Sequence, residues 1–220
     1  MISDQKEQTK TRGFLITFEG GEGGGKTTQV VRLREKLTAA GKDVIVLREP
    51  GGTAISEQIR EVVLSSKNVG MAFTTEVLLF QAARAQIYRE IVLPSLQAGK
   101  IVLMDRSRDS SVVYQGIVRG FGMELIDQLN NISTKDTYPD RTILLDLPVD
   151  IGLKRKLDIG EVNRLEMESL AFHEKVRAAY LKVAQKNDCQ RWKIIDASQP
   201  QIEVEQLIWA DVSQLLGIAK

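Results

Sequence analysis

The sequence predicts an α/β fold in which a parallel five-stranded sheet is flanked by helices. Short apolar runs alternate with stretches of helical periodicity, which is the pattern of βαβ units. Each run reads as a buried strand and ends in a turn signal. Residues 20–28, 48–53 and 105–111 all follow such runs directly. Parallel sheets gather ligands at the carboxyl ends of their strands, so these three segments are expected at one edge.

Residues 13–18 (GFLITF) form the first strand and run into a glycine cluster. Val30, Leu33 and Leu37 recur at helical spacing over 27–40, and Gly41 follows as a C-cap. Residues 43–47 form the second strand, followed by the turn Glu49-Pro50-Gly51-Gly52. Residues 54–64 and 74–96 read as helices, with Pro94 expected to kink or end the second. Residues 101–104 (IVLM) form the third strand, and helices are expected at 109–119 and 122–132. Residues 142–147 (TILLDL) are the fourth strand. Helices at 149–157 and 165–187, a fifth strand at 192–195 and an amphipathic helix at 200–217 complete the chain.

Length and composition set the bounds. The 220 residues suit one domain with a small lid and bury a core unaided. Residues 1–12 are polar and are expected to be a disordered extension, leaving 13–220 as one domain. Lys and Arg number 30 against 29 Asp and Glu, a net charge of +1, which argues against a nucleic-acid coat or a membrane surface. No apolar run is long enough to span a bilayer. Cys189 is the sole cysteine, which excludes an internal disulfide and fits a reduced, cytoplasmic setting. His173, the sole histidine, is expected to be structural, and Trp192 and Trp209 to belong to the core.

Gly20-Gly21-Glu22-Gly23-Gly24-Gly25-Lys26-Thr27 matches G-x-x-x-x-G-K-[ST] between a strand and a helix, with Thr28 next in line. Glycines let successive backbone N–H groups close around phosphates, and the helix N-terminus adds positive potential. Lys26 is expected to reach the β- and γ-phosphates of ATP, and the Thr27 hydroxyl to ligate Mg²⁺. Glu22 within the cradle would be repelled by triphosphate, so it is expected to face away, toward a sugar hydroxyl or solvent. Asp105, closing the third strand, resembles a Walker B carboxylate. Arg106 beside it presents a fork suited to phosphate or to a structural carboxylate. Arg48 is a second phosphate candidate. Phe80 and Arg84, four apart on one helical face, suit a planar base: one stacks and the other donates to a carbonyl. A core Phe beside a surface Arg is the alternative.

FEGGEGGGKTTQ, REPGGT, FQAAR and DRSRDSSVVYQG occur in an order and spacing that resemble bacterial thymidylate kinases, and the similarity covers nearly the whole chain. The resemblance implies a P-loop kinase that transfers the γ-phosphate of ATP to dTMP with Mg²⁺, and a homodimer. It implies that Phe80 stacks on thymine, that Arg84 contacts O4, and that Pro50 and Gln115 line the base pocket. Ser111 and Tyr114 then lie near base and sugar, and Arg106 holds the acceptor phosphate. Residues 154–165 resemble the family's lid, and Gly24 at a position where some relatives carry Arg points to catalytic arginines within that lid. Arg164 is the first candidate and Arg155 the second, although the span is poorer in Arg than many such lids. Two rivals remain at this stage. A deoxynucleoside kinase would phosphorylate thymidine and need a carboxylate base. A nucleotide-dependent switch would need a partner, and no N-K-x-D motif is present to read guanine.

Overall fold

A computed structural model describes residues 12–157, 163–186 and 190–218. The expected N-terminal extension up to residue 11, the middle of the lid (158–162) and Cys189 lie outside the described residues.

Strands β1 (Leu15–Glu19), β2 (Val44–Arg48), β3 (Ile101–Asp105), β4 (Arg141–Asp146) and β5 (Trp192–Asp196) form one parallel sheet in the order β2-β3-β1-β4-β5. Alternate residues face opposite layers, as strand pleating requires. Ile16 and Phe18 pack with Val30, Leu33 and Leu37 of α1 (Lys26–Ala39) and with Val204, Ile208 and Val212 of α9 (Gln201–Leu215). Leu15, Val102 and Met104 face the other way, against Ile87, Tyr88 and Val92. Farther along that layer Leu144 packs with Tyr180 and Val183 of α8 (Leu170–Lys186). Trp192 is buried, Trp209 packs on the core from a half-buried position, and His173 is buried edge-on to Phe172.

The helix over residues 54–64 forms as expected, as α2 (Ala54–Leu64), with the Thr53 side chain accepting the Ser56 N–H at 3.2 Å. The helix expected over 74–96 is not broken by Pro94. α3 (Phe73–Ile87) widens into an i→i+5 turn over Tyr88–Val92 and continues as α4 (Leu93–Gln97). Pro94 falls in the first turn of α4, directly after the widened turn. The stretch 109–119 is likewise a short helix, α5 (Arg108–Ser111), followed by a wide turn over Val112–Val118. α6 (Met123–Thr134) and α7 (Val149–Leu157) follow the expected periodicity. The helix expected from residue 165 begins only at Leu170. Asn163 Oδ1 accepts the N–H groups of Leu165 (3.0 Å) and Glu166 (3.2 Å), closing a separate turn, and the Ser169 hydroxyl accepts the Phe172 N–H at 3.3 Å where α8 begins.

Two glycines bring α7 against the loop after β1. A Cβ on Gly152 would lie 2.3 Å from the Glu22 carbonyl oxygen, and one on Gly23, at φ +67°, would lie 2.1 Å from the Gly152 carbonyl oxygen. Gly152 sits inside a helix, where alanine is ordinarily favoured by about 1 kcal/mol. Gly152→Ala should instead lower the thermal unfolding midpoint, because backbone on both sides must move. An unchanged or raised midpoint contradicts this packing.

Candidate active site

The loop between β1 and α1 is shaped for an anion. α1 starts on Gly25, at φ +80°, and no side chain caps its N–H groups, which leaves the first turn open to a ligand. Lys26 is buried and its ammonium donates to the carbonyls of Gly21 (2.7 Å) and Gly20 (3.3 Å). Burial, and then Arg106 nearby, hold its pKa below the ordinary lysine value. The Thr27 hydroxyl donates to Asp105 Oδ2 at 2.6 Å. β1–β3 pairing sets this up, since Asp105 lies opposite Phe18 in the register. Hydroxyl and carboxylate are hard oxygen donors of the kind Mg²⁺ takes alongside water and phosphate oxygens.

Arg106 adopts φ +66°, a left-handed conformation unusual for a residue with a Cβ. Its guanidinium donates to Gly20 O (3.0 Å), Glu22 Oε1 (2.7 Å) and Tyr180 Oη (3.2 Å), and lies 5.5 Å from the Tyr114 ring centre. Glu22 is therefore drawn to Arg106, and it also accepts from the Tyr114 hydroxyl at 3.4 Å. Behind this pair lies Glu19, which sequence reasoning passed over. Its carboxylate accepts the N–H groups of Ser107 (2.9 Å) and Ser110 (3.3 Å) and the hydroxyls of Ser110 (2.6 Å) and Tyr180 (2.8 Å). Burial, and then Asp109, raise its pKa to about 7. A glutamate closing an apolar strand was the available signal.

The cradle and the acceptor wall open into one cavity of about 630 Å³. Of the site residues expected from sequence, Gly20, Gly21 and Arg164 do not line it, and the others do. Pro50 also accepts from Arg60 Nη1 at 2.6 Å, and Arg60 itself lines the cavity. Helical spacing alone had not marked Arg60. Arg48 is exposed and held by Glu57 at 3.0 and 2.9 Å. Gln115 Nε2 donates to Glu76 at 2.9 Å.

Arg84 is not the free donor that helical spacing suggested. It is 1% exposed, and its N–H groups serve Glu49 (2.8 and 2.7 Å), Ser111 Oγ (2.9 Å), Asn130 Oδ1 (2.8 Å) and the Ser107 carbonyl (3.0 Å). A base oxygen reaches it only by replacing one of these acceptors. Glu49 and Asn130 complete this network and were likewise not foreseen. Arg164 is also placed differently from expectation. It is drawn under the α2 C-terminus, donating to Val63 O at 3.1 and 3.0 Å and pairing with Glu76 at 2.7 Å. A buried carboxylate and unpaired helix-end carbonyls outcompete the phosphate loop for this cation. Arg155 stays exposed at the loop's rim, 3.5 Å from Gly23 O and 3.3 Å from Ala197 O.

A phosphate cradle that shares one cavity with Pro50, Phe80 and Gln115 is the layout of a P-loop nucleotide kinase. The family model described as Thymidylate kinase matches residues 18–208. A thymidylate kinase of Geotalea uraniireducens is 48% identical over 206 residues, 91% of this chain and 96% of the relative. One of Thermomicrobium roseum is 45% identical over 204 residues, 92% and 96%. The crystal structure of thymidylate kinase from Ehrlichia chaffeensis superposes with a TM-score of 0.73 at 32% identity, covering 91% of this chain and 99% of that one. The chain belongs to the thymidylate kinase family, ATP-dependent phosphotransferases that convert dTMP to dTDP.

Glu19 sets a pH dependence of stability. Folding raises its pKa from 4.5 to about 7, so within that window the folded state retains a proton that the unfolded chain has released. Stability therefore falls as pH rises through the window, by up to ~3 kcal/mol from this group. Glu19→Gln should flatten that slope in urea unfolding measured at pH 5 and pH 7.5. Equal losses in wild type and variant would exclude Glu19 as the source.

Proposed function

We propose that the reaction runs across this cavity, with ATP phosphates in the cradle and the dTMP phosphate at Arg106. The observation that carries the reading is the continuity of the cavity from Lys26 and Thr27, past Asp105 and Arg106, to Phe80 and Gln115. The nucleophile is an oxygen of the acceptor phosphate. Its second pKa is near ~6, so it is ionised at neutral pH and requires no general base. Catalysis then rests on alignment and on neutralising charge in the transferring group. Lys26 serves the donor phosphates, Arg106 and Arg48 the acceptor phosphate, and Arg155 the phosphoryl group from the lid side. Arg164 anchors the end of the lid span to Glu76 and Val63. Thr27 and Asp105 would hold Mg²⁺, which would supply charge neutralisation at the donor phosphates. Phe80 provides a stacking face for the base.

A deoxynucleoside acceptor is disfavoured because a neutral hydroxyl carries no charge for Arg106 to neutralise. A homodimer is supported by family membership. It is also supported by Ile55, Leu78 and Ile132, all more than half exposed, on the adjoining helices α2, α3 and α6. Among the described residues no helix is long and apolar enough to cross a membrane. Nucleotide substrates support a cytoplasmic enzyme.

Coupled measurement of ADP formation with dTMP, dUMP, dCMP, dGMP and thymidine tests the reading, and dTMP should be the best acceptor. Lys26→Ala should lower kcat on the order of 100-fold or more with the fold intact by circular dichroism. Retained turnover would remove Lys26 from the mechanism. Arg106→Ala should raise KM for dTMP by roughly 10- to 100-fold while shifting KM for ATP little. Equal losses for both substrates would make Arg106 structural.

A further inference from the structure

Glu76 opens α3 from a position with no solvent exposure, and it does not line the cavity. Three side chains converge on it. Arg164 Nη2 lies 2.7 Å from Oε2, Arg119 Nε and Nη2 lie 3.5 Å from its oxygens, and Gln115 Nε2 donates to Oε1 at 2.9 Å. Arg119 is itself fixed by Glu168 at 2.6 Å and by the rings of Phe73 and Phe172 at 4.2 and 4.9 Å. The two guanidiniums leave the carboxylate little freedom to swing.

That fixity has a chemical consequence for Gln115, which lines the cavity. A carboxamide presents a donor on one side and an acceptor on the other, and flipping it exchanges them. A carboxylate offers acceptors only, so the Gln115 NH₂ must face Glu76 and Oε1 is the atom left for the cavity. An acceptor there matches a base whose ring nitrogen carries hydrogen. Thymine and uracil carry N3–H, whereas cytosine presents a bare N3. Arg84, with its donors already engaged, is poorly placed to make this distinction alone.

We propose that Glu76 is a positioning residue for base selection, fixing the Gln115 carboxamide with its oxygen toward the acceptor base. This rests on dTMP being the acceptor. The experiment measures kcat/KM for dTMP, dUMP and dCMP, and KM for ATP, in wild type, Glu76→Gln, Gln115→Met and the double variant. With glutamine at position 76 the Gln115 carboxamide can sit either way. The dTMP:dCMP ratio should then fall roughly 10-fold, within the ~5- to 150-fold set by one unpaired buried polar group. The dTMP:dUMP ratio and KM for ATP should hold, because both bases carry N3–H and ATP lies elsewhere. Adding Glu76→Gln to Gln115→Met should change the dTMP:dCMP ratio no further. An unchanged ratio in Glu76→Gln, or a further fall in the double variant, overturns the proposal. If Glu76→Gln does not fold, the wild type decides. Its Gln115 side-chain NH₂ resonances, assigned by their loss in Gln115→Met, should exchange slowly with solvent with and without dTMP. Exchange as fast as that of an exposed amide overturns the proposal. A wild type inactive on dTMP overturns the functional reading itself, whereas a selective wild type with an unaffected Glu76→Gln ratio overturns only the role of Glu76.

Discussion

The parallel pairing of β1 with β3 is the constraint on which the site depends. Its register puts Phe18 opposite Asp105, and the chain beyond each strand turns away at the same level. The Arg106 N–H then reaches the Phe18 carbonyl at 2.9 Å, the Asp105 carboxylate meets Thr27, and the Arg106 guanidinium crosses to Gly20 and Glu22. A one-residue slip would turn over the faces of the slipped strand and separate these groups. The left-handed backbone at Arg106 belongs to the same junction: it turns the chain after β3 while keeping a long cationic side chain at the turn, which glycine would not supply.

Buried carboxylates divide the work behind that junction. Glu19 ties the Ser107–Ser110 turn to Tyr180, Glu49 ties the β2 end to Arg84, and Glu76 ties α3 to Arg164 at the end of the lid span. The three differ in their neighbours. Glu76 is flanked by two arginines, Glu49 by one, and Glu19 is met mainly by hydroxyls and amides. Burial raises the pKa of both Glu19 and Glu49, with Arg84 opposing it at Glu49. A carboxylate without a direct guanidinium contact has less to offset its desolvation.

Much of this was legible in the chain. Strand order cannot be read from apolar runs, but their number and the edge where ligands gather can, and 20–28, 48–53 and 105–111 do meet there. α2 formed over the residues read as a helix, 54–64. What stayed hidden depended on partners distant in sequence. Arg164 looked like a lid charge because it closes a span, opened by Lys154-Arg155-Lys156, that resembles the family's lid, yet its position is set by Glu76 and by Val63. Arg84 shared a helical face with Phe80, as spacing requires, but spacing carries no information about Glu49, Ser111 and Asn130. Pro94 signalled an irregular helix end, but not that the irregularity would be a widened turn at Tyr88–Val92, ahead of the proline itself.

The contact between Gly23 and Gly152 gives the enzyme a fulcrum. The backbone of α7 rests directly on the phosphate loop, with no side chain between them to compress or slide. Arg155, one turn farther along α7, is carried by the same helix and approaches the Gly23 carbonyl at 3.5 Å. Because no side chain lies between loop and helix, a shift in the backbone of that loop cannot be absorbed locally and passes directly to α7.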